Sequence, residues 1–197
     1  MTIIRQDVFA HRWIWLLICM VAALPYYNSL NNSFHDDDEH SIVRNHHLRD
    51  LANIPSYFAD SGTFSAEPGK GMYRPLLQTT LAFNYASGAY EVRGYHVVSI
   101  LFHVLSCIGL WLLLSRLLPA HAAVAICLLY AAHPIHTQAV NYISSRSELM
   151  AGCGVIWSLW AAVVGRRWFA GAAFIMALLS KSVALQGLPL AVLLAWR

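Results

Sequence analysis

Charge is what this sequence has least of. Only 12% of its 197 residues are Asp, Glu, Lys or Arg, where a soluble domain carries about a quarter. A net charge of +3, scattered along the chain, is too small to mark a polyanion partner and excludes a nucleic-acid binder. Cysteine is sparse as well. Cys19, Cys107, Cys127 and Cys153 all fall inside apolar runs and form no C-x-x-C pair. That excludes a disulfide framework and a thiolate zinc site, and leaves buried thiols acting as small hydrophobes. No G-x-S-x-G, P-loop, H-E-x-x-H or dinucleotide fingerprint occurs, so those chemistries lack their signatures.

Apolar residues are abundant. They make up 58% of the chain, and mean hydropathy is +0.51. These values predict an all-α fold, a polytopic integral membrane helical bundle, since a span needs roughly 20 mostly apolar residues. Apolar runs mark spans at 8–27, 94–114, 118–132, 149–164, 168–179 and 183–196 within a single membrane domain, 1–197. The last two are short. No small-residue cleavage site follows Pro25, so the first run reads as a retained span with Trp13, Trp15, Tyr26 and Tyr27 as interfacial anchors. Residues 28–93 form a long polar loop. Within it, 47–58 and 75–90 space their apolar residues as amphipathic helices lying at the membrane surface, with a Gly-rich stretch between them.

The positive-inside rule sets the orientation. With the N-terminus cytoplasmic, the inside holds Arg5, Arg12, Arg116, Arg166, Arg167 and Arg197 against one acid, Asp7. The outside holds seven basic residues against nine acids. Arg166–Arg167, between two spans, is the strongest single indication. The long loop therefore faces outside. The implied location is a bacterial inner membrane, or the endoplasmic reticulum membrane in a eukaryote.

Three polar groups stand out. His35-Asp36-Asp37-Asp38-Glu39-His40 follows the first span. Crowded carboxylates raise one another's pKa, and at a membrane face they suit proton abstraction or a divalent ion, with Asp36, Glu39 and His40 as possible ligands. Read plainly, the run is a solvated acidic loop. Arg44, Arg74, Arg93, Arg146 and Lys181 lie on the same side and suit an anionic head group, although a Lys between apolar runs also serves as a snorkelling anchor. His133 and His136 flank Pro134, where a helix must break. They fit ligation or simple capping.

These residues meet in a resemblance. Tyr73-Arg74-Pro75-Leu76, Asn84-Tyr85, and Gly94-Tyr95-His96 with His103 resemble the transmembrane and tetratricopeptide-repeat O-mannosyltransferases. His133-Pro134-Ile135-His136-Thr137-Gln138-Ala139-Val140 is similar to their H-P-[IV]-H-T-E-A-V element, and Arg146-Ser147-Glu148-Leu149 to their R-x-E-L. The match runs from about residue 30 to 185.

The resemblance implies a GT-C glycosyltransferase. Such an enzyme moves a sugar, mannose-like, from a polyprenyl-phosphate carrier to a protein hydroxyl on the periplasmic or lumenal side. Alignment of Ser41 to Leu48 with the family's A-I-x-x-N-x-x-L run places its acidic pair at Asp37 and Asp38, one of them the general base. Arg74, His136, Arg146 and Lys181 become the donor-phosphate candidates. The implied partners are the lipid-linked sugar, an acceptor protein and the bilayer, with a divalent metal possible. Gln138 and Ser182 replace acids usual in the family. Further spans and repeats would follow residue 197 there, so a fragment inactive alone is expected. The competing expectation is a non-catalytic membrane module whose His- and Asp-rich loop binds metal or a partner.

Overall fold

The computed structural model describes residues 12–195. The start of the first expected span, Trp196, and Arg5, Asp7 and Arg197 of the charge count lie outside the described residues. Helix α1 (Arg12–Ala23) tightens into a 3-10 helix at Leu24–Asn31, where Pro25 removes an amide donor. After it come α2 (Ile54–Tyr57), α3 (Pro75–Gly88), α4 (Val92–Leu117), α5 (Ala120–Ala132), α6 (His136–Asn141), α7 (Arg146–Val163), α8 (Arg167–Ser180) and α9 (Leu188–Ala195). No strand occurs among the described residues.

Two helical stretches among them, Trp13–Asn31 and Val92–Leu117, are long and apolar enough to cross a membrane. Ala120–Ala132, Arg167–Ser180 and Ser182–Leu193 are apolar but shorter. The breaks have local causes. Pro134 separates α5 from α6, and the ring of His133 accepts the freed amide of Ile135 at 3.2 Å. Gly165, at φ 80°, turns α7 back into α8.

Helix α7 packs along α8 and α4, while α1 lies against α4 and α5. The bundle core gathers Ile18, Ala22, Cys107, Trp111, Ala123, Cys127 and Ala131. Both cysteines there are free thiols at complete burial. A second core joins the long loop to the bundle through Ile42, Leu48, Tyr57, Phe64, Leu77, Leu81, Tyr95 and Ile143. The loop is therefore a folded cap.

Inside that cap the structure departs from the expected helix at 47–58. The segment forms 3-10 turns at His46–Arg49 and Leu51–Asn53 and the single turn α2. Asn45 accepts the amide of His47, and Asp50 that of Ala52. Each side-chain cap starts a new turn and leaves no continuous helix. The stretch from Pro75 does form a helix, α3, with Pro75 in its first turn.

Small residues set the approach of α7 to α8. A Cβ on Gly154 would sit 2.8 Å from both the Ala173 carbonyl oxygen and the Ala177 Cβ, and Ser158 donates to the Ala170 carbonyl at 2.8 Å. Gly154→Val is expected to destabilise the bundle by about 1–3 kcal/mol through overpacking. Thermal unfolding in detergent checks this. An unchanged midpoint would mean that the two helices do not meet at Gly154.

Candidate active site

The acidic run folds as a tight reversal. Asp36 takes φ 50°, a left-handed conformation that Asp tolerates better than most residues. Amides of Asp38, Glu39 and Ser41 bond back to the carbonyls of His35, Asp36 and Asp37. This turn separates two adjacent carboxylates. The Asp38 side chain is fully buried, whereas that of Asp37 is 63% exposed.

Asp38 staples the turn to the corner between α6 and α7. Its Oδ1 accepts both the amide, at 2.9 Å, and the hydroxyl of Ser144. Its Oδ2 lies 3.4 Å from the amide of His35. Burial pushes the Asp38 carboxyl above the usual carboxylate range, and the bonds from Ser144 and His35 pull back against it. Ser41 ties the same corner, its Oγ 3.0 Å from that of Ser144.

Asp37 faces a cavity of about 220 Å³. Its amide donates to the Tyr142 hydroxyl at 2.8 Å, and burial pushes that phenol up to about 12. Its Oδ1 lies 3.2 Å from Nε2 of the buried His40. Arg74 and Lys181 line the same cavity. The Arg74 guanidinium stands 5.6 Å over the Phe64 ring and donates to Ser147 Oγ at 3.3 Å. No carboxylate lies within 4.0 Å of it among the described residues. Burial lowers its hold on the proton, and the charges of Glu148 and Asp37 raise it. Lys181, in contrast, is paired with Glu148 at 2.7 Å.

The other expected basic residues go elsewhere. Arg146, at the start of α7, is fully buried and clasps two other helices: it donates to Thr80 and Asn84 of α3, and to Ser99 and the Tyr95 carbonyl of α4, at 2.8–3.3 Å. It does not line the cavity. His136 sits in a ring cluster, its centroid 4.3 Å from that of Tyr130 and 5.1 Å from that of His103, tilted against both. Burial and the neighbouring His133 push its pKa down, and it does not line the cavity. Arg93 holds Asn31. Arg44 is taken by Glu67 and Glu39, and it lines a separate cavity of about 500 Å³ with His46, His47 and Arg49.

Among the described residues no group of three or more His, Cys, Asp or Glu side chains is arranged to hold a metal ion. Glu39 is engaged by Arg44, and His40 by Asp37 and Ser65. Tyr142 is a polar cavity residue that, like the apolar Phe64 and Met72, sequence reading passed over. Its position, between the His-Pro element and the Arg-x-Glu-Leu element, was the available signal.

Fold and cavity together define a helical protein, two of whose helical stretches are long and apolar enough to cross a membrane, in which Asp37 and Arg74 of the capping loop share one small cavity with Lys181. Comparison with known proteins narrows this. The chain is 33% identical to the protein O-mannosyl-transferase Tmtc3 of Drosophila melanogaster over 162 residues, covering 70% of this chain and 17% of that protein. It is 34% identical to mouse TMTC3 over 139 residues, 68% of this chain and 15% of the relative. Drosophila Tmtc1 matches at 35% over 146 residues, 68% and 16%. This chain is a relative of the protein O-mannosyl-transferases, and it spans about a sixth of these relatives' length. No family model matches, and no solved structure does.

Proposed function

We infer that the chain is part of a membrane glycosyltransferase. It passes a sugar, mannose by the relatives' names, from a polyprenyl-phosphate-linked donor to a hydroxyl of an acceptor protein. The GT-C arrangement goes with this reading. Helices α1, α4, α5, α7 and α8 cross the bilayer with the N-terminus cytoplasmic, and the capping loop and its cavity lie on the periplasmic or lumenal side.

One observation carries the reading. A single cavity is lined by an exposed carboxylate, Asp37, and by Arg74, a half-buried guanidinium with no carboxylate partner among the described residues. Asp37 takes the proton of the acceptor hydroxyl as its oxygen attacks the anomeric carbon. The bond from that carbon to the phosphate oxygen breaks, and polyprenyl phosphate leaves. Arg74 meets the growing phosphate charge bidentately, and Lys181 adds a point charge that it shares with Glu148. Asp38 keeps the loop in place and does not touch substrate.

A transfer assay with the full-length protein tests this. Arg74→Gln should lower kcat/KM for the polyprenyl-phosphate donor by about 10- to 100-fold, the scale of one charge-assisted contact. Acceptor KM should hold. An unchanged donor kcat/KM would remove the phosphate from this cavity.

A further inference from the structure

Asp37 is exposed, yet one of its oxygens is held from behind by a buried chain of polar groups. Ser65 Oγ accepts the amide of Glu67 at 2.9 Å and lies 3.0 Å from Nδ1 of His40, in position to donate its own proton there. A neutral imidazole whose Nδ1 accepts must carry its proton on Nε2. That nitrogen lies 3.2 Å from Asp37 Oδ1. The amide of Ala66 also bonds the His40 carbonyl at 2.9 Å, so the segment bearing Ser65 is clipped to the residue it orients. His40 and Ser65 are only 4% and 8% exposed.

We propose that His40, with its tautomer set by Ser65, is a positioning residue that fixes Asp37 Oδ1 and turns Oδ2 toward the acceptor hydroxyl. This rests on the reading of Asp37 as the base. The geometry separates positioning from proton relay. A buried imidazole that donates one fixed N–H does its work without accepting the substrate's proton. A glutamine amide reaching from position 40 supplies the same donor.

The experiment compares His40→Leu, His40→Gln and Ser65→Ala in the full-length protein, with ¹⁵N-histidine NMR of the wild type and Ser65→Ala. His40→Leu should lower kcat by about 10- to 100-fold, the cost seen when an orienting partner is removed, with acceptor KM little changed. His40→Gln should recover most of that loss. The wild-type spectrum should show a buried histidine protonated on Nε2, and Ser65→Ala should mix its tautomers. If His40→Leu does not accumulate in membranes, the His40→Gln rate and the NMR result decide. Equal loss in folded His40→Gln and His40→Leu would make the imidazole a proton carrier and overturn the proposal. So would wild-type kcat in His40→Leu. Asp37→Asn run alongside separates the two levels: normal transfer there removes the base itself, whereas a dead Asp37→Asn beside a fully active His40→Leu removes only the positioning role.

Discussion

Asp37→Asn is expected to reduce sugar transfer by the full-length protein by about 10²- to 10⁴-fold, the usual contribution of a positioned general base. Folding should be untouched. The side chain projects into a cavity and carries no buried packing, and an asparagine carbonyl still accepts from His40. Asp38→Asn should behave in the opposite way. Its amide oxygen keeps both bonds from Ser144, and only the long 3.4 Å contact of Oδ2 with the His35 amide is given up. Transfer should stay within about threefold of wild type, below the scale of a lost catalytic group.

Stability separates the same pair. The Asp38 carboxyl is held above its unfolded value by burial. The folded state therefore binds the proton more tightly, and stability falls as pH rises from the unfolded carboxylate range through the folded pKa. Asparagine cannot ionise. The Asp38→Asn protein should lose this decline and match or exceed wild type near neutral pH. Midpoints of thermal unfolding from pH 4 to 8 read it directly, and equal slopes in the two proteins would refute the assignment.

The second large effect is expected at Arg146. Replacing it by Met removes the donor shared by Thr80, Asn84, Ser99 and the Tyr95 carbonyl. Hydrogen bonds to a charged group contribute roughly 1.5–3 kcal/mol each, and they do not add fully within one network. A loss of about 4 kcal/mol is expected, enough to exhaust much of a typical domain's margin. Arg146→Lys should recover only part, because an ammonium lacks the planar fork that reaches two helices at once. Detergent-solubilised yield and unfolding midpoint measure both variants. A stable Arg146→Met protein that loses donor binding would return Arg146 to the head-group role.

The helices were legible because long apolar runs have few alternatives to helix. Pro75 and Pro134 mark a helix start and a helix end that can be read without coordinates, whereas the first expected span runs through Pro25 to residue 27 and α1 stops at Ala23. The capping loop was less legible. Asn45 and Asp50 each restart the chain through a local side-chain cap, and apolar spacing does not reveal such a bond.

Sequence also identified the residue types of the cavity but not their division of labour. Asp37 and Asp38 are chemically alike, and only the left-handed turn at Asp36 sends one inward and one outward. Arg74 and Arg146 are equally plausible phosphate ligands by type. What separates them is that α3 and α4 close around Arg146 with neutral acceptors, whereas Arg74 stops at the cavity wall. The pairing of His40 with Ser65 depends on a contact 25 residues apart in sequence, beyond any local pattern.

The central claim is that the lipid-linked sugar reacts in the cavity between Asp37 and Arg74. Photo-crosslinking tests it most directly. A benzophenone amino acid at Met72, an exposed residue on the cavity wall, or at Arg49, in the neighbouring cavity, is introduced into the full-length protein. The protein is then irradiated with polyprenyl-phosphate mannose radiolabelled in the sugar. Labelling at position 72, competed by unlabelled polyprenyl phosphate and weakened by Arg74→Gln, is the predicted result. Labelling at 49 with none at 72 would place the donor outside this cavity and contradict the assignment of Asp37 as its base.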